Sequence, residues 1–378
     1  MNDIKTEQNN SLKNRLHSLC PYFAMFPEDF ARKQIEAFTK EGDYVLDPFC
    51  GRGTTLLQAL LMRRNAAALD VNPVAYCVSA AKAKVPSLDS VFLVLKELKR
   101  DYQALSFRAL EEERRSLPTF FGRAFHVETL REILFLRQVL DWRHSSLHRF
   151  IAALALGSLH GEMDKSSSYF SNQMPRTIST KPLYSLNYWR RNNLWPKKRN
   201  VFEILKSRAE FRLRGERPCG PGKVALCDAR EAASVFPSLR NKVKVIITSP
   251  PYLGVTNYEE DQWLRLWFLG YEPKPTYNKI SSDDRYMAAN KYWQFLREVW
   301  SGVAPLLRRD AKIVCRIGAK RLDKDQITEG LKSSIVAVFP RAQLHSRPIS
   351  SVLKNRQTEA FRPGSVGCLF EVDYIFNL

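Results

Sequence analysis

Residues 44–70 constrain this chain more than any other stretch. Tyr44-Val45-Leu46 is a short apolar run that reads as a buried strand, and Asp47-Pro48-Phe49-Cys50-Gly51-Arg52-Gly53 is a turn. Residues 54–62 then have helical apolar spacing, and Ala66-Ala67-Ala68-Leu69-Asp70 reads as a second strand that ends on a carboxylate. Strand, glycine turn, helix and strand in that order form the repeating unit of a doubly wound α/β sheet.

The rest of the chain splits around this theme. The first dozen residues are polar and uncapped and read as a loose arm, and residues 30–38 suit a short helix. From about Pro86 to Pro221 regular alternation stops. This stretch reads as mainly helical, with amphipathic segments at 91–108 and 127–140, an apolar segment at 150–159, a polar and aromatic run at 166–193 and a basic run at 190–217. Strand patterns resume at 224–228 and Val243–Thr248, a helical stretch covers about 286–307, and strands follow at 313–317 and 369–376. Neither α/β portion has enough strands to close a core alone. The expectation is therefore one α/β domain built from residues 1–86 and 221–378, interrupted by a helical insertion at 87–220.

The chain has 378 residues, 44% of them hydrophobic, which suits a folded protein. Its formal charge of +20 points to a polyanion, because neutralising phosphates releases condensed counterions. An anionic membrane surface is the lesser option. No apolar stretch approaches the ~20 residues that span a bilayer, and the first residues lack the order of a signal peptide, so a cytoplasmic location is expected. Seven cysteines without a C-x-x-C pair, among them Cys50, Cys77, Cys227 and Cys315 in apolar runs, read as buried thiols. The six histidines (His17, His126, His144, His148, His160 and His345) have no ligand spacing, so no metal is expected.

Three features carry chemistry. Gly51 and Gly53 sit where a strand hands over to a helix, so a ligand can lie against the backbone and face helix amides. Asp70, at the end of the next strand, is positioned to accept hydrogen bonds from ribose hydroxyls. Ser249-Pro250-Pro251-Tyr252 follows a strand; by itself it also reads as an ordinary proline turn. Together these strings resemble the DNA methyltransferases that modify N4 of cytosine or N6 of adenine. Residues 47–55 are similar to that family's D-P-F-x-G-x-G-T cofactor loop, Pro21-Tyr22-Phe23-Ala24-Met25-Phe26-Pro27 to its segment over the methionine end of the cofactor, and Asp70-Val71-Asn72-Pro73 to its ribose-binding turn. Ser249–Tyr252 resembles its catalytic signature in the serine form, more typical of N4-cytosine enzymes.

The resemblance implies a seven-stranded class I methyltransferase sheet that binds S-adenosyl-L-methionine. Tyr22, Asp47, Phe49, Gly51, Gly53, Thr54, Asp70 and Asn72 are the implied cofactor residues. Asp228 joins them as the acidic residue that faces the adenine amine in related folds, although Cys227-Asp228-Ala229 equally reads as a strand end with a helix cap. The implied reaction is methylation of cytosine N4 at a specific site in double-stranded DNA, with a restriction-modification or defence setting and a cognate restriction enzyme as a further partner. N6-adenine methylation, RNA guanine-N2 methylation and non-catalytic DNA binding are the alternatives. An exocyclic amine is a poor nucleophile until acceptors hold its protons. The Ser249 hydroxyl and Pro250 carbonyl are suited to that task, Pro250 and Pro251 stiffen the loop, and Tyr252 offers a ring for an extruded base.

The resemblance leaves 87–220 uncovered, so its part in reading DNA rests on side-chain chemistry. Lys197, Lys198 and Arg199, with Arg208, Arg212 and Arg214, suit phosphates; Asn172, Gln173, Arg176 and Asn187 suit base edges. A solvated basic face explains any one of them equally well. The loop 345–367, with Arg347, Lys354, Arg356 and Arg362, is a second candidate DNA contact.

Overall fold

A computed structural model describes residues 14–22, 26–161, 168–171, 173, 181–254, 257–277, 279–280, 288–320, 322–353 and 368–378. Its strands β1 (Tyr44–Asp47), β2 (Asn65–Asp70), β3 (Gly222–Leu226), β4 (Val243–Thr248), β5 (Leu307–Ile317), β6 (Gln343–Leu344), β7 (Ile349–Val352) and β8 (Phe370–Asn377) form one sheet. The path runs β3-β2-β1-β4-β5-β8-β6, and β7 also pairs with β8. β1 to β5 are mutually parallel, and β8 is antiparallel to β5, β6 and β7. The doubly wound, mostly parallel α/β architecture is the one expected. β7 adds an eighth strand beside the expected seven: its four residues Ile-Ser-Ser-Val are all exposed, so no buried face marks it in the sequence.

β1, β2 and β4 are buried along most of their length on both faces, which is why they read as apolar runs. Along β2, Ala67 and Leu69 enter one core and Ala66 and Ala68 the other. Helices α1 (Glu28–Phe38) and α2 (Thr54–Leu61) cover the second face, through Phe30, Ala31, Ile35, Leu56, Ala59 and Leu60.

Next along the chain, α3 (Pro73–Ala83) connects the sheet to α4 (Leu88–Ala104), α5 (Arg108–Ser116), α6 (Thr119–Ala124), α7 (Val127–Val139), α8 (Ser146–Leu156), α9 (Pro182–Arg191) and α10 (Val201–Arg212). α11 (Ala232–Val235), α12 (Tyr258–Asp261) and α13 (Trp263–Phe268) follow, and α14 (Ala289–Val303) and α15 (Lys324–Val336) cover the first face of the sheet.

The helices of 87–220 do not close a core of their own. Val74, Ala75, Cys77, Val78 and Ala81 of α3 join Phe150–Leu156, Leu130, Ile133–Leu136 and the tryptophans Trp263 and Trp267 of α13 in one cluster. Trp263 and Trp267 stand against Phe121 of α6, with ring centroids 5.9 and 4.4 Å away. The segment just after the Ser249–Tyr252 loop is thus built into the helical block.

Candidate active site

The strand order reverses between β1, whose chain continues to β2 on one side, and β4 on the other. In open parallel sheets the crevice above such a reversal, at the carboxyl ends of the strands, is where ligands bind. The Asp47–Gly53 turn rises from β1 and the Ser249–Tyr252 loop from β4, so the fold places the two strings side by side.

One hydrogen bond ties them. The Thr248 hydroxyl donates to Asp47 Oδ1 at 2.7 Å, and the Phe49 amide donates to the same oxygen at 3.1 Å. Thr55 secures the other flank of the turn by donating to the Ile247 carbonyl at 3.0 Å. Asp47 is buried, and loss of hydration pushes its carboxyl up to about 7 against the pull of these donors.

The turn itself requires glycine. Gly51 and Gly53 have φ of +47° and +74°, the left-handed region that side chains disfavour, and a Cβ on Gly53 would stand 2.6 Å from Ser79 Oγ. Gly51 donates its amide to Asp70 Oδ2 at 2.9 Å while the Asn72 amide donates to Oδ1 at 2.9 Å, so the carboxylate that ends β2 orients both turns. Burial raises the Asp70 carboxyl to about 6. Asn72 then caps α3 by accepting from the Val74 amide at 2.9 Å, with Pro73 at the first helical position. Thr54 Oγ1 accepts from Arg52 Nε at 3.2 Å, and Phe49 packs edge-on against Phe295 at 5.8 Å.

Several supports of this turn had no motif to announce them. Ser79 donates to the Gly51 carbonyl at 2.9 Å, and the fully buried Lys82 reaches the Arg52 carbonyl at 2.5 Å. Burial, with Arg52 beside it, holds the Lys82 ammonium well below its usual range. In the sequence both look like ordinary residues on an amphipathic helix. Tyr22 is buried over the turn and stacks on Tyr258 of α12, with centroids 6.3 Å apart. Residues 23–25 of the same segment lie outside the described residues.

In the Ser249–Tyr252 loop, Pro250 is buried and Ser249 and Pro251 are half-buried. Ser249 Oγ donates to Tyr252 Oη at 3.3 Å, and Tyr252 Oη donates to Glu371 Oε1 of β8 at 2.9 Å. The Tyr252 ring is only 7% exposed, so much of it faces the core rather than the crevice. Burial, with Glu371 close by, holds its phenol well above the ordinary range. At the end of β3, Asp228 accepts from the Arg230 amide and guanidinium at 2.8–3.0 Å, and the same guanidinium reaches Glu298 at 3.0 Å.

The residues considered for DNA separate by environment. Lys197 and Lys198 are exposed between α9 and α10, and Lys198 pairs with Glu128. The Arg199 backbone is pinned by Thr129, at 2.8 Å in both directions. Gln173 is buried and donates its amide to the Arg123 carbonyl at 2.7 Å, so it braces the helical block instead of presenting a side chain to a base. Arg212 is likewise buried, donating to the Arg15 carbonyl and Ser18, which removes it from the phosphate role expected of it, while Arg208 is half-buried and donates to the Ser168 carbonyl. Asn172 and Arg176, with Lys354, Arg356 and Arg362, lie outside the described residues. Among the described residues there is no cluster of His, Cys, Asp and Glu fit for a metal, and no helix is long and apolar enough to cross a membrane.

The chain is similar to several known proteins. Residues 1–82, which include the glycine turn and Asp70, match a family model described as DNA methylase. The type II methyltransferase M.BsoBI of Geobacillus stearothermophilus is 24% identical over 283 residues, covering 68% of this chain and 53% of that protein. The type II methyltransferase M.MjaI of Methanocaldococcus jannaschii is 43% identical over 49 residues, 13% of this chain and 16% of that one. Among solved structures, the rRNA methyltransferase aviRa of Streptomyces viridochromogenes aligns over 99% of this chain and 94% of its own at 13% identity and a TM-score of 0.34. The chain spans about half the length of M.BsoBI, and its likeness to the DNA methylase family is carried by residues 1–82.

Proposed function

We propose that this chain is an S-adenosyl-L-methionine-dependent DNA methyltransferase that acts on N4 of cytosine. The observation that carries the reading is the 2.7 Å hydrogen bond between Thr248 and Asp47, which holds a glycine cofactor turn and an S-P-P-Y loop together above adjacent strands. The likeness of residues 1–82 to DNA methylases and the similarity to type II methyltransferases support DNA as the substrate.

The residues present fit the cofactor. Two glycines in left-handed conformation leave the turn's backbone open, and the half-buried Asp70 carboxylate ends the neighbouring strand where a ribose would lie. Tyr22, Asp47, Phe49, Gly51, Gly53, Thr54, Asp70 and Asn72 would hold it, with Asp228, clamped by Arg230, toward the adenine. When bound, it supplies an electrophilic methyl group. The chain's own work is on the amine: Ser249 Oγ and the Pro250 carbonyl accept its protons and favour a pyramidal nitrogen, while the prolines fix those acceptors in place. The rate enhancement comes mainly from position and charge, without a covalent enzyme intermediate.

DNA contact is assigned to the exposed Lys197 and Lys198 and to Arg199, with a restriction-modification setting and a restriction enzyme as the companion activity. The test incubates the protein with duplex DNA and methyl-labelled cofactor and resolves the nucleosides by mass spectrometry. Label in N4-methylcytosine is expected. Label confined to N6-methyladenine overturns the choice of base, and unlabelled DNA overturns the reaction.

A further inference from the structure

Tyr252 joins the Ser249–Tyr252 loop to a strand at the far end of the chain. Glu371 of β8 is an acceptor when ionised, so Tyr252 Oη, 2.9 Å away, must donate its one proton to it. The phenol oxygen then has lone pairs to spare, and Ser249 Oγ donates to it at 3.3 Å. This ordering turns the Ser249 proton inward and leaves its lone pairs for whatever enters the crevice. Glu371 is itself held in place. Arg316 of β5 grips Asp373 through Nε and Nη2 at 2.6 and 2.8 Å, stacks over Phe30 at 3.9 Å, and brings Nη1 to 3.8 Å from Glu371 Oε2.

We propose that Ser249, Tyr252 and Glu371 form a proton relay that drains the amine after methyl transfer, an inference that rests on the reading given under Proposed function. The amine lone pair forms the N–C bond as the S–C bond breaks with its electron pair retained on sulfur. The nitrogen, now cationic, passes a proton to Ser249 Oγ; the Ser249 proton moves to Tyr252 Oη, and the Tyr252 proton moves to Glu371. Glu371, whose side chain is 19% exposed, returns the proton to solvent. Ser249 is the catalytic residue of the three, since it touches the amine; Glu371 acts through Tyr252 and is a positioning and relay residue.

Among the described residues, the groups facing Glu371 are few. Tyr252 comes from the loop, Arg316 from β5 and Asp373 from its own strand, and β7, where Ser351 pairs with Glu371, carries no charge. Burial outweighs Arg316 and raises the Glu371 carboxyl. The relay therefore fails as pH falls through that raised value, because a protonated Glu371 can no longer take the Tyr252 proton.

Two measurements test the relay. In the unliganded protein labelled with tyrosine enriched at 13Cζ, the resonance missing from Tyr252→Phe identifies Tyr252. It should shift as Glu371 titrates, and Glu371→Gln should abolish that shift. In single-turnover methyl transfer, Glu371→Gln should lower the rate about 10²-fold, the lower end of what proton transfer contributes. It should also remove the acid limb of the pH profile, with melting temperature and DNA affinity unchanged. A Tyr252 resonance indifferent to Glu371→Gln overturns the relay without reference to turnover, as does a wild-type rate and pH profile in that variant. A wild-type protein that labels no DNA base overturns the functional reading and the relay with it.

Discussion

Asp47 concentrates the design of the site in one carboxyl. It is buried at the end of β1 and titrates near 7, against 3.8 for an ordinary aspartate. Between those values the native state keeps a proton that the unfolded chain has lost, so stability falls as pH rises from about 4 to about 7, by at most ~1.4 kcal/mol per pH unit. Asp47→Asn retains an oxygen for Thr248 and Phe49 and has nothing to ionise. Urea unfolding across this range should show the variant gaining on the wild type as pH rises; a constant gap would mean the native carboxylate is charged throughout. Asp47 was legible because it begins a recognisable turn, whereas Thr248, its partner, looks like any β-branched strand residue. Gln173 shows the converse. An amide suited to a base edge is equally suited to a backbone carbonyl, and only the folded chain tells which it met.

At the scale of elements, the start of α2 depends on Gly53. Any side chain there must adopt a left-handed conformation and displace Ser79, which also donates to the Gly51 carbonyl. Gly53→Ala should cost about 1–3 kcal/mol, the penalty for forcing such a backbone, seen as a lower denaturation midpoint with an unchanged slope. A midpoint equal to the wild type would place the strain elsewhere. β1, β2 and β4 were readable because burial on both faces makes them largely apolar; Val243–Thr248 was bounded as observed. β6 and β7 were not, since two residues and four exposed ones carry no periodicity. α13 escaped for a related reason: Trp-Leu-Arg-Leu-Trp-Phe is buried all round, with even Arg265 enclosed, so it presents no polar face to mark a helix.

Across the whole molecule the charge of +20 is the property a polyanion meets first. If the strip at 197–199, with Lys197 and Lys198 exposed and Arg199 half-buried, follows phosphates, replacing the three together by alanine should weaken binding to every duplex. The salt slope should fall by up to ~3, about 0.9 for each phosphate left unneutralised. Titrations at several salt concentrations measure this, and an unchanged slope would return the strip to a solvated surface. The helical block is recognisable as mainly helical from sequence, but its shared core with α3 and α13 is not, because nothing in a single amphipathic helix says which partner covers its face. The tie between Thr248 and Asp47 also has a consequence in time. Its two residues are 201 positions apart. At about 5–20 residues per second, β1 emerges from the ribosome some 10–40 s before β4. During that interval the glycine turn exists without its neighbour and one edge of β1 stands open, so a nascent chain cannot assemble the site until the entire helical block has been made.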